Sequence, residues 1–274
     1  MDLGECRWPD VESFRTRVAV LPLGSLEQHG HHLPLLTDTF NCSEIARRAR
    51  LEVEDEAVFL PILWIGVSEH HSGFPGTMSV RSTVYAELLE DMVESLIRAG
   101  FRRILLLNAH GGNVIPDSVA IYDVQLRHAD DAGLWLVLGS WWSIAAEQIA
   151  AIESLQQKEV SHACEQETSI MLRLRPDLVD LGRASGATIP YPSDFYVPDF
   201  SKPSRIDVPR RLDQLSATGA FGSPELASAE KGEAILAAAS GEVAALIREI
   251  ARWPQIRPAQ AGANDSDAPR SAQP

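Results

Sequence analysis

Short apolar runs alternate with segments of helical periodicity along the first half of the chain, and this alternation is the strongest constraint on its fold. Each run is short and apolar, which is typical of a buried strand. The predicted strands are residues 18–24, 57–65, 103–108 and 134–139. The predicted helices between them are residues 39–53, 83–99 and 116–128. Because such alternation implies a parallel sheet with helices on both faces, the sequence predicts an α/β fold with a mostly parallel central sheet.

The second half of the chain departs from this alternation. Residues 143–174 are predicted to be helical, and residues 224–253 show a long Ala- and Glu-rich helical pattern. Residues 182–222 are rich in Pro, Ser, Tyr and Asp, and so long an irregular stretch is more often functional, or an oligomer contact, than idle. We find no internal repeat, so residues 1–255 are predicted to form one domain and residues 256–274 a disordered tail.

Composition restricts the environment and the partners of the chain. With 274 residues, 45% of them hydrophobic, the chain can bury a sizeable core. Its net charge of −14 argues against nucleic acid or an anionic membrane as a partner. The three cysteines contain no CxxC pair, and the acidic N-terminus lacks the apolar region of a secretory signal. No apolar run approaches the length of a membrane span, so we expect a soluble cytoplasmic protein.

Side chains that bind metals crowd the stretch directly after the first predicted strand. Residues 24–38 read GSLEQHGHHLPLLTD and bring together Glu27, His29 and Asp38. Imidazole and carboxylate groups together suit divalent zinc, manganese or iron. The carboxyl end of a strand is also where an α/β enzyme places its chemistry. The stretch therefore predicts a catalytic metal site.

Two further segments carry ligands of the same kind. The sequence NAHGGN follows the third predicted strand and contains His110, and the sequence HACEQETS near a helix start contains His162 and Glu167. A parallel sheet would bring the first and second of these three segments together at its carboxyl edge. Two metals a few ångström apart need a bridging carboxylate, a role open to Asp38, and such a pair makes hydroxide from water near neutral pH.

Several of these residues keep a purely structural interpretation as an alternative. Glu165 and Glu167 could form the solvated face of a helix. Trp141 and Trp142 could belong to the core or an interface, or could wall a pocket at the end of the fourth strand. The turn at residues 73–77 could be loop geometry or a wall against the substrate. The polar residues just before this turn could supply contacts: Ser68, Glu69, His70 and His71.

In their order along the chain, these motifs resemble those of the creatininase (creatinine amidohydrolase) family. The similarity runs from about Trp8 to Trp253, and its pieces are GSLEQHGHHLP with the following Thr-Asp, then FPGT, NAHGGN and ETS. The resemblance implies a three-layer α/β/α domain, often assembled as a homo-hexamer. It also implies hydrolysis of the C–N bond of a small cyclic or linear amide by two divalent metals, commonly zinc with manganese or iron.

The resemblance also implies roles for individual residues, by position. It assigns one metal to Glu27, Asp38 and His110. It assigns the other metal to His29 and Asp38, so that Asp38 bridges. His162 matches a histidine that assists proton transfer, and Trp142 matches a tryptophan that closes over the substrate. We expect His31 and His32 to shape the loop rather than bind metal.

The chain departs from the creatininase pattern at two places. Gly112 stands where creatininase carries a glutamate that binds the second metal, and Glu167 is the nearest candidate replacement. A second tryptophan of the creatininase lid falls near Lys158. These departures argue against creatinine itself as the substrate.

The sequence thus predicts a binuclear metal-dependent amidohydrolase. In this hypothesis a metal-activated hydroxide attacks the amide carbon, and the N–H groups of Gly111 and Gly112 hold the oxyanion. His162 or the carboxylate of Glu167 protonates the leaving nitrogen, while Ser68 and Trp142 contact the substrate. The alternatives are a peptidase or deformylase of the same family, a lactone hydrolase, and a metal-binding homologue that no longer catalyses.

Overall fold

Four parallel strands form the sheet at the centre of the computed structural model, which describes residues 1–157, 159–191, 193–197, 199–202 and 204–256. The strands are β1 (Val18–Leu23), β2 (Ala57–Phe59), β3 (Arg103–Asn108) and β4 (Trp135–Ser140). They pair in the order β2-β1-β3-β4. The chain adds β2 on one side of β1 and then crosses to add β3 and β4 on the other side. Ligands of open α/β sheets bind at such a switch point, here between β1 and β3.

Helices cover both faces of this sheet. They are α1 (Thr37–Glu52), α2 (Ser82–Arg98), α3 (Val114–Arg127), α4 (Trp141–Ile144), α5 (Ala146–Ala150), α6 (Glu165–Leu174) and α7 (Ala229–Arg252). Helices α2 and α3 share a core with Leu21 and Leu106, whereas α1 and α7 share the opposite core with Val20 and Leu105. Successive strand residues point to opposite faces, so the three-layer α/β/α prediction is confirmed.

The second strand is shorter than predicted, since it ends at Phe59 rather than at residue 65. Pro61 has no N–H to donate to a ladder, and beyond it only an isolated bridge joins Leu63 to Leu23. The chain nevertheless stays beside β1, because the Leu63 N–H donates to the Pro22 carbonyl at 3.0 Å. This segment therefore continues along the sheet edge as a loop and reaches the carboxyl ends of the strands.

The second half of the chain is less helical than predicted. Between α5 and α6 the chain leaves the helical conformation, so residues 143–174 are not one helical stretch. Helix α7 begins at Ala229, because the Ser228 side chain caps it by accepting from the Lys231 N–H. The described part of 182–222 is mostly irregular, as predicted. The predicted tail beyond residue 256 lies outside the described residues, and the single domain stays a prediction. Among the described helices, none has the length and apolar character that a membrane crossing requires.

A buried ion pair joins α6 to α7. The Lys231 ammonium donates to the Glu165 carboxylate and to the Leu226 carbonyl, and both charged side chains are buried. The same carboxylate accepts the backbone N–H groups of Gln156 and Gln157. Glu165 therefore fixes the start of α6 and the loop before it, which together carry His162 and Glu167.

We predict that Lys231→Met lowers the free energy of unfolding by about 3–5 kcal/mol, because it leaves the Glu165 carboxylate buried without its cation. Urea denaturation followed by circular dichroism measures this change. The control is Arg15→Met, which removes a partly exposed ion pair with Glu12 and is expected to cost less than about 1 kcal/mol. Equal effects of the two substitutions would contradict the structural role of Lys231.

Asp117 is an acidic side chain buried in the first turn of α3. Within the described part of the chain, neither of its carboxylate oxygens has a hydrogen-bond partner. Burial raises the pKa of Asp117 from 3.8 to about 8. Because the folded state then holds a proton that the unfolded state has released, stability falls as pH rises between these two values.

We predict that Asp117→Asn removes this pH dependence. The unfolding free energy of the parent protein should fall, relative to the variant, by up to about 1.4 kcal/mol per pH unit between about pH 4 and 8. Urea denaturation at several pH values measures the difference. Asp123→Asn, at an exposed position of the same helix, is the matched control. Parallel curves for the parent protein and Asp117→Asn would show that Asp117 is ionised in the folded state.

Candidate metal centre

The candidate site lies where β1 and β3 end side by side. Leu23 at the end of β1 pairs with Asn108 at the end of β3, so the two predicted metal-binding motifs leave the sheet as neighbours. The loop after β1 then enters α1, whose first turn carries Asp38. The positive end of a helix favours a carboxylate in its first turn, which helps to keep Asp38 ionised.

Asp38 connects the two motifs with its two carboxylate oxygens. Its Oδ1 lies 2.9 Å from His29 Nε2, and its Oδ2 lies 3.1 Å from His110 Nδ1. The Ser25 hydroxyl donates to Oδ2 at 2.8 Å and fixes the plane of the carboxylate. One carboxylate thus faces two imidazoles that come from different strands, which is the arrangement a bridging ligand requires.

Glu27 supplies a second buried carboxylate. Its Oε2 lies 3.2 Å from His110 Nε2, and its Oε1 lies 3.2 Å from His71 Nε2. These contacts are poorly aligned, so among the described residues neither oxygen accepts a hydrogen bond. A buried carboxylate without such bonds is costly, and a cation beside it removes the cost. Glu27 therefore fits the role of a metal ligand.

Glu167 and His162 approach the same place from the start of α6. Ligand atoms of His29, His162 and Glu167 all lie within 4.8 Å of one another. Between the two residues, Ala163 adopts a positive φ of 52°, and its N–H donates to the Glu167 carboxylate. A non-glycine residue in this conformation is strained, and such strain is typical of functional sites. The sharp turn brings His162 and Glu167 to one side of the chain.

The charges of this cluster depend strongly on one another. Burial opposes the cationic forms of His29 and His110, yet the carboxylates of Asp38 and Glu27 outweigh it. They raise the pKa of His29 to about 9 and the pKa of His110 well above its usual range. Burial by itself would raise the pKa of Asp38, but the imidazoles of His29 and His110 hold that pKa below its usual range. Burial raises the pKa of Glu167 to about 7.

The donor set fits divalent metals. Carboxylate oxygens and imidazole nitrogens are gathered in overlapping groups. Two of these groups are Glu27 with His29 and Asp38, all buried, and Glu27 with the half-buried His70 and the buried His110. Mixed oxygen and nitrogen donors suit zinc, manganese and iron. Metal binding needs deprotonated imidazole nitrogens, so it would release the protons that the carboxylates hold on His29 and His110.

Gly112 has no room for a side chain. A Cβ atom there would lie 2.0 Å from the Val67 carbonyl oxygen and 2.6 Å from His110 Nε2. A glutamate at this position is incompatible with the backbone of this turn. Glu167 instead brings a carboxylate to His29 from α6, which supports the predicted replacement. At Gly111, by contrast, a Cβ would have only the Phe200 ring within 4 Å among the described residues, at 3.9 Å.

The remaining predicted residues lie at different distances from this cluster. Ser68 is buried, with its hydroxyl 3.3 Å from His110 Nε2. Trp142 packs in the core layer of α7, and its Nε1 donates to the Phe200 carbonyl at 3.1 Å. His31 is exposed, whereas His32 is buried with Nε2 3.0 Å from the Thr168 hydroxyl. Lys158, at the position of the second lid tryptophan, lies outside the described residues.

The sequence by itself predicts no defined role for two residues of this cluster, Gln28 and His71. Gln28 lies between two predicted ligands, but it carries no charge and gave no metal signal. His71 was named only as a polar residue before a turn, yet its imidazole reaches Glu27. The sequence feature that points to His71 is the pair of adjacent histidines at 70–71. This pair is a weak indication of a metal site, because its loop does not directly follow a regular strand.

We predict that Gly112→Ala lowers stability by about 1–3 kcal/mol and weakens metal binding, because the new Cβ must displace the Val67 carbonyl or the His110 ring. Gly111→Ala is the matched control, since its Cβ makes only an ordinary contact. Thermal unfolding and zinc titration of both variants measure the two effects. Tolerance of alanine at position 112 equal to that at position 111 would contradict the crowding seen here.

Comparison with known proteins identifies the family of the chain. The family model described as creatinine amidohydrolase matches residues 4–247. The creatinine amidohydrolase of Pseudomonas putida is 33% identical over 265 residues, which cover 90% of this chain and 96% of that protein. The mycofactocin precursor peptide peptidase of Mycobacterium tuberculosis strain H37Rv is 32% identical over 245 residues, or 85% of this chain and 84% of that protein.

Solved structures give the same result. A structure described as "Creatininase Mn" superposes with a TM-score of 0.73 at 30% sequence identity, and the match covers 90% of this chain and 97% of that one. The family model spans most of the chain, and the superposition with this solved structure covers nearly the same extent. The chain therefore belongs to the creatininase family of amidohydrolases.

Proposed function

We propose that this protein is a binuclear metal-dependent amidohydrolase that cleaves a C–N amide bond of a small cyclic or linear amide. The observation that carries the proposal is the position of Asp38, whose two oxygens face His29 on one side and His110 on the other. A carboxylate shared in this way is what a two-metal site requires.

Each metal would have its own set of ligands in addition to the shared carboxylate. Glu27 and His110 would complete one set, and His29 and Glu167 the other. Two divalent ions held there would polarise a carbonyl and lower the pKa of bound water. Zinc with manganese or iron fits the donors. Assembly as a homo-hexamer and a cytoplasmic location stay predictions from the sequence.

The chain's own groups would handle the oxyanion and the protons. The N–H groups of Gly111 and Gly112 donate to no backbone acceptor within the described part of the chain, so they are free to hold an oxyanion. Nδ1 of His162 lies 3.7 Å from the Glu27 Oε1 atom, at the edge of the cluster. From there it can take up a proton and pass it to the leaving nitrogen.

The shape of the glycine turn bears on the substrate. Creatininase places a glutamate at the position of Gly112, whereas here the backbone excludes any side chain, while a Cβ on Gly111 would make only an ordinary contact with Phe200 among the described residues. A substrate other than creatinine is therefore favoured. The alternatives are a linear amide, as in a peptidase or deformylase of the same family, and a lactone.

We predict that Asp38→Asn, His110→Ala and Glu167→Gln each lower kcat/KM by at least about 10³-fold, because these residues act as one unit. Bound metal should fall below two ions per chain in each variant. His31→Ala, which removes an exposed imidazole near His29, is the control and should keep both metal and activity.

Metal analysis and turnover of a panel of cyclic amides, formamides, short peptides and lactones make this measurement. Full activity of metal-free protein would overturn the two-metal proposal. Two bound metals per chain without turnover of any panel member would favour the alternative of a metal-binding homologue that no longer catalyses.

A further inference from the structure

Gln28 lies between Glu27 and His29 and points its side chain into the cluster rather than at solvent. Its Oε1 accepts the Gly30 N–H at 2.9 Å, and its Nε2 donates to the Gly219 carbonyl at 3.1 Å. The two ends of a glutamine amide are easily interchanged in a structure. Here a backbone donor on one end and a backbone acceptor on the other end determine the orientation.

The second hydrogen of the Gln28 amide determines the state of His71. Gln28 Nε2 lies 2.9 Å from His71 Nδ1. Because an amide nitrogen only donates, His71 Nδ1 must accept and carries no proton. The ring proton then sits on Nε2, which lies 3.2 Å from Glu27 Oε1. His71 therefore turns its Nε2 proton toward Glu27, in a charge contact too poorly aligned to be a hydrogen bond, and Nε2 has no lone pair to offer a metal.

The backbone carbonyl of Gln28 determines the state of His162. His162 Nε2 lies 2.8 Å from the Gln28 oxygen. A carbonyl oxygen only accepts, so Nε2 carries a proton and Nδ1 of the neutral ring carries a lone pair. The 3.1 Å approach of Gln28 Nε2 to His162 Nε2 joins two donors and is a packing contact. Nδ1 is left 3.7 Å from Glu27 Oε1, on a ring that is also grouped with His29 and Glu167.

We propose that Gln28 is a positioning residue that sets the tautomers of His71 and His162 from one point of the chain. Through its side chain it places the ring proton of His71 on Nε2, beside the Glu27 carboxylate. Through its carbonyl it leaves Nδ1 of His162 as the proton acceptor of the site. The use of that acceptor in amide hydrolysis rests on the proposed function, whereas the assignment of the tautomers does not.

Gly219 helps to orient the side-chain amide of Gln28. A Cβ at Gly219 would lie 2.1 Å from Gln28 Oε1, and the residue has a φ of +81°, a conformation that favours glycine. The Ser216 hydroxyl holds its N–H at 3.0 Å. The irregular segment thus brings one backbone carbonyl against the Gln28 amide and blocks the inverted orientation.

Nitrogen and carbon NMR of the histidine rings tests the proposal directly, on zinc-loaded and metal-free full-length protein with 15N- and 13C-labelled histidine. Signals are assigned with His71→Gln and His162→Gln. We expect the proton of both rings on Nε2 in the parent protein. A proton on Nδ1 of either neutral ring would overturn the proposal, and this measurement needs no variant at Gln28.

Gln28→Glu sharpens the test, because it keeps the shape of the side chain but offers His71 only acceptors. The His71 proton should move to Nδ1, while the His162 tautomer should stay unchanged because its partner is a main-chain oxygen. Zinc affinity should fall by about 10- to 100-fold, as for other residues that orient metal ligands. An unchanged His71 tautomer in this variant would overturn the role of the side chain.

Two controls separate this role from a general effect of charge or packing. Gln148→Glu adds the same charge at an exposed position of α5 and should leave both rings and zinc affinity unchanged. Gln28→Met keeps the volume without hydrogen bonds, so it should lose the single His71 tautomer but not invert it. If both rings carry their proton on Nε2 but the protein turns over no amide, the proposed function is rejected and the positioning role of Gln28 is retained.

Discussion

The structure depends on the burial of carboxylates that cannot be buried alone. Glu27, Asp38 and Glu167 converge within one cluster and are nearly inaccessible to water. Isolated anions in such surroundings are very costly, so the rest of the site is organised around positive charge. Imidazoles, the N-termini of α1 and α6 and, in our proposal, two metal ions supply it. Asp38 holds the cluster together because its two oxygens serve both halves.

The sheet decides which segments can meet at Asp38. The connections after β1 and β3 run to opposite sides of the sheet, which leaves a crevice at the carboxyl ends of these two strands. The motifs that follow the two strands lie on either side of this crevice. Helix α6 then enters from the second half of the chain, anchored to α7 by Glu165 and Lys231. The candidate metal centre therefore combines an ordinary α/β sheet edge with one added helix.

Much of this could be predicted from the sequence where the signal was local. The apolar runs of β1 and β3 and the adjoining Glu27, Asp38 and His110 follow from period and spacing. Glu167 was ambiguous, because a carboxylate early in a helix also suits a solvated face, and only packing against α1 and α7 buries it. The shortened β2 reflects Pro61, whose missing N–H was visible but was outweighed by the apolar run.

The tautomers of His71 and His162 are the features of the site that the local sequence predicts least. The ring of His71 is set by Gln28, whose amide is oriented in turn by Gly219, almost two hundred residues away along the chain. No periodicity reports such a contact. The described part of 182–222 is mostly irregular, yet it places the Gly219 carbonyl against the Gln28 amide and pairs the Phe221 N–H with the His162 carbonyl. An irregular segment can meet such demands because its backbone groups are not already used in a helix or a sheet.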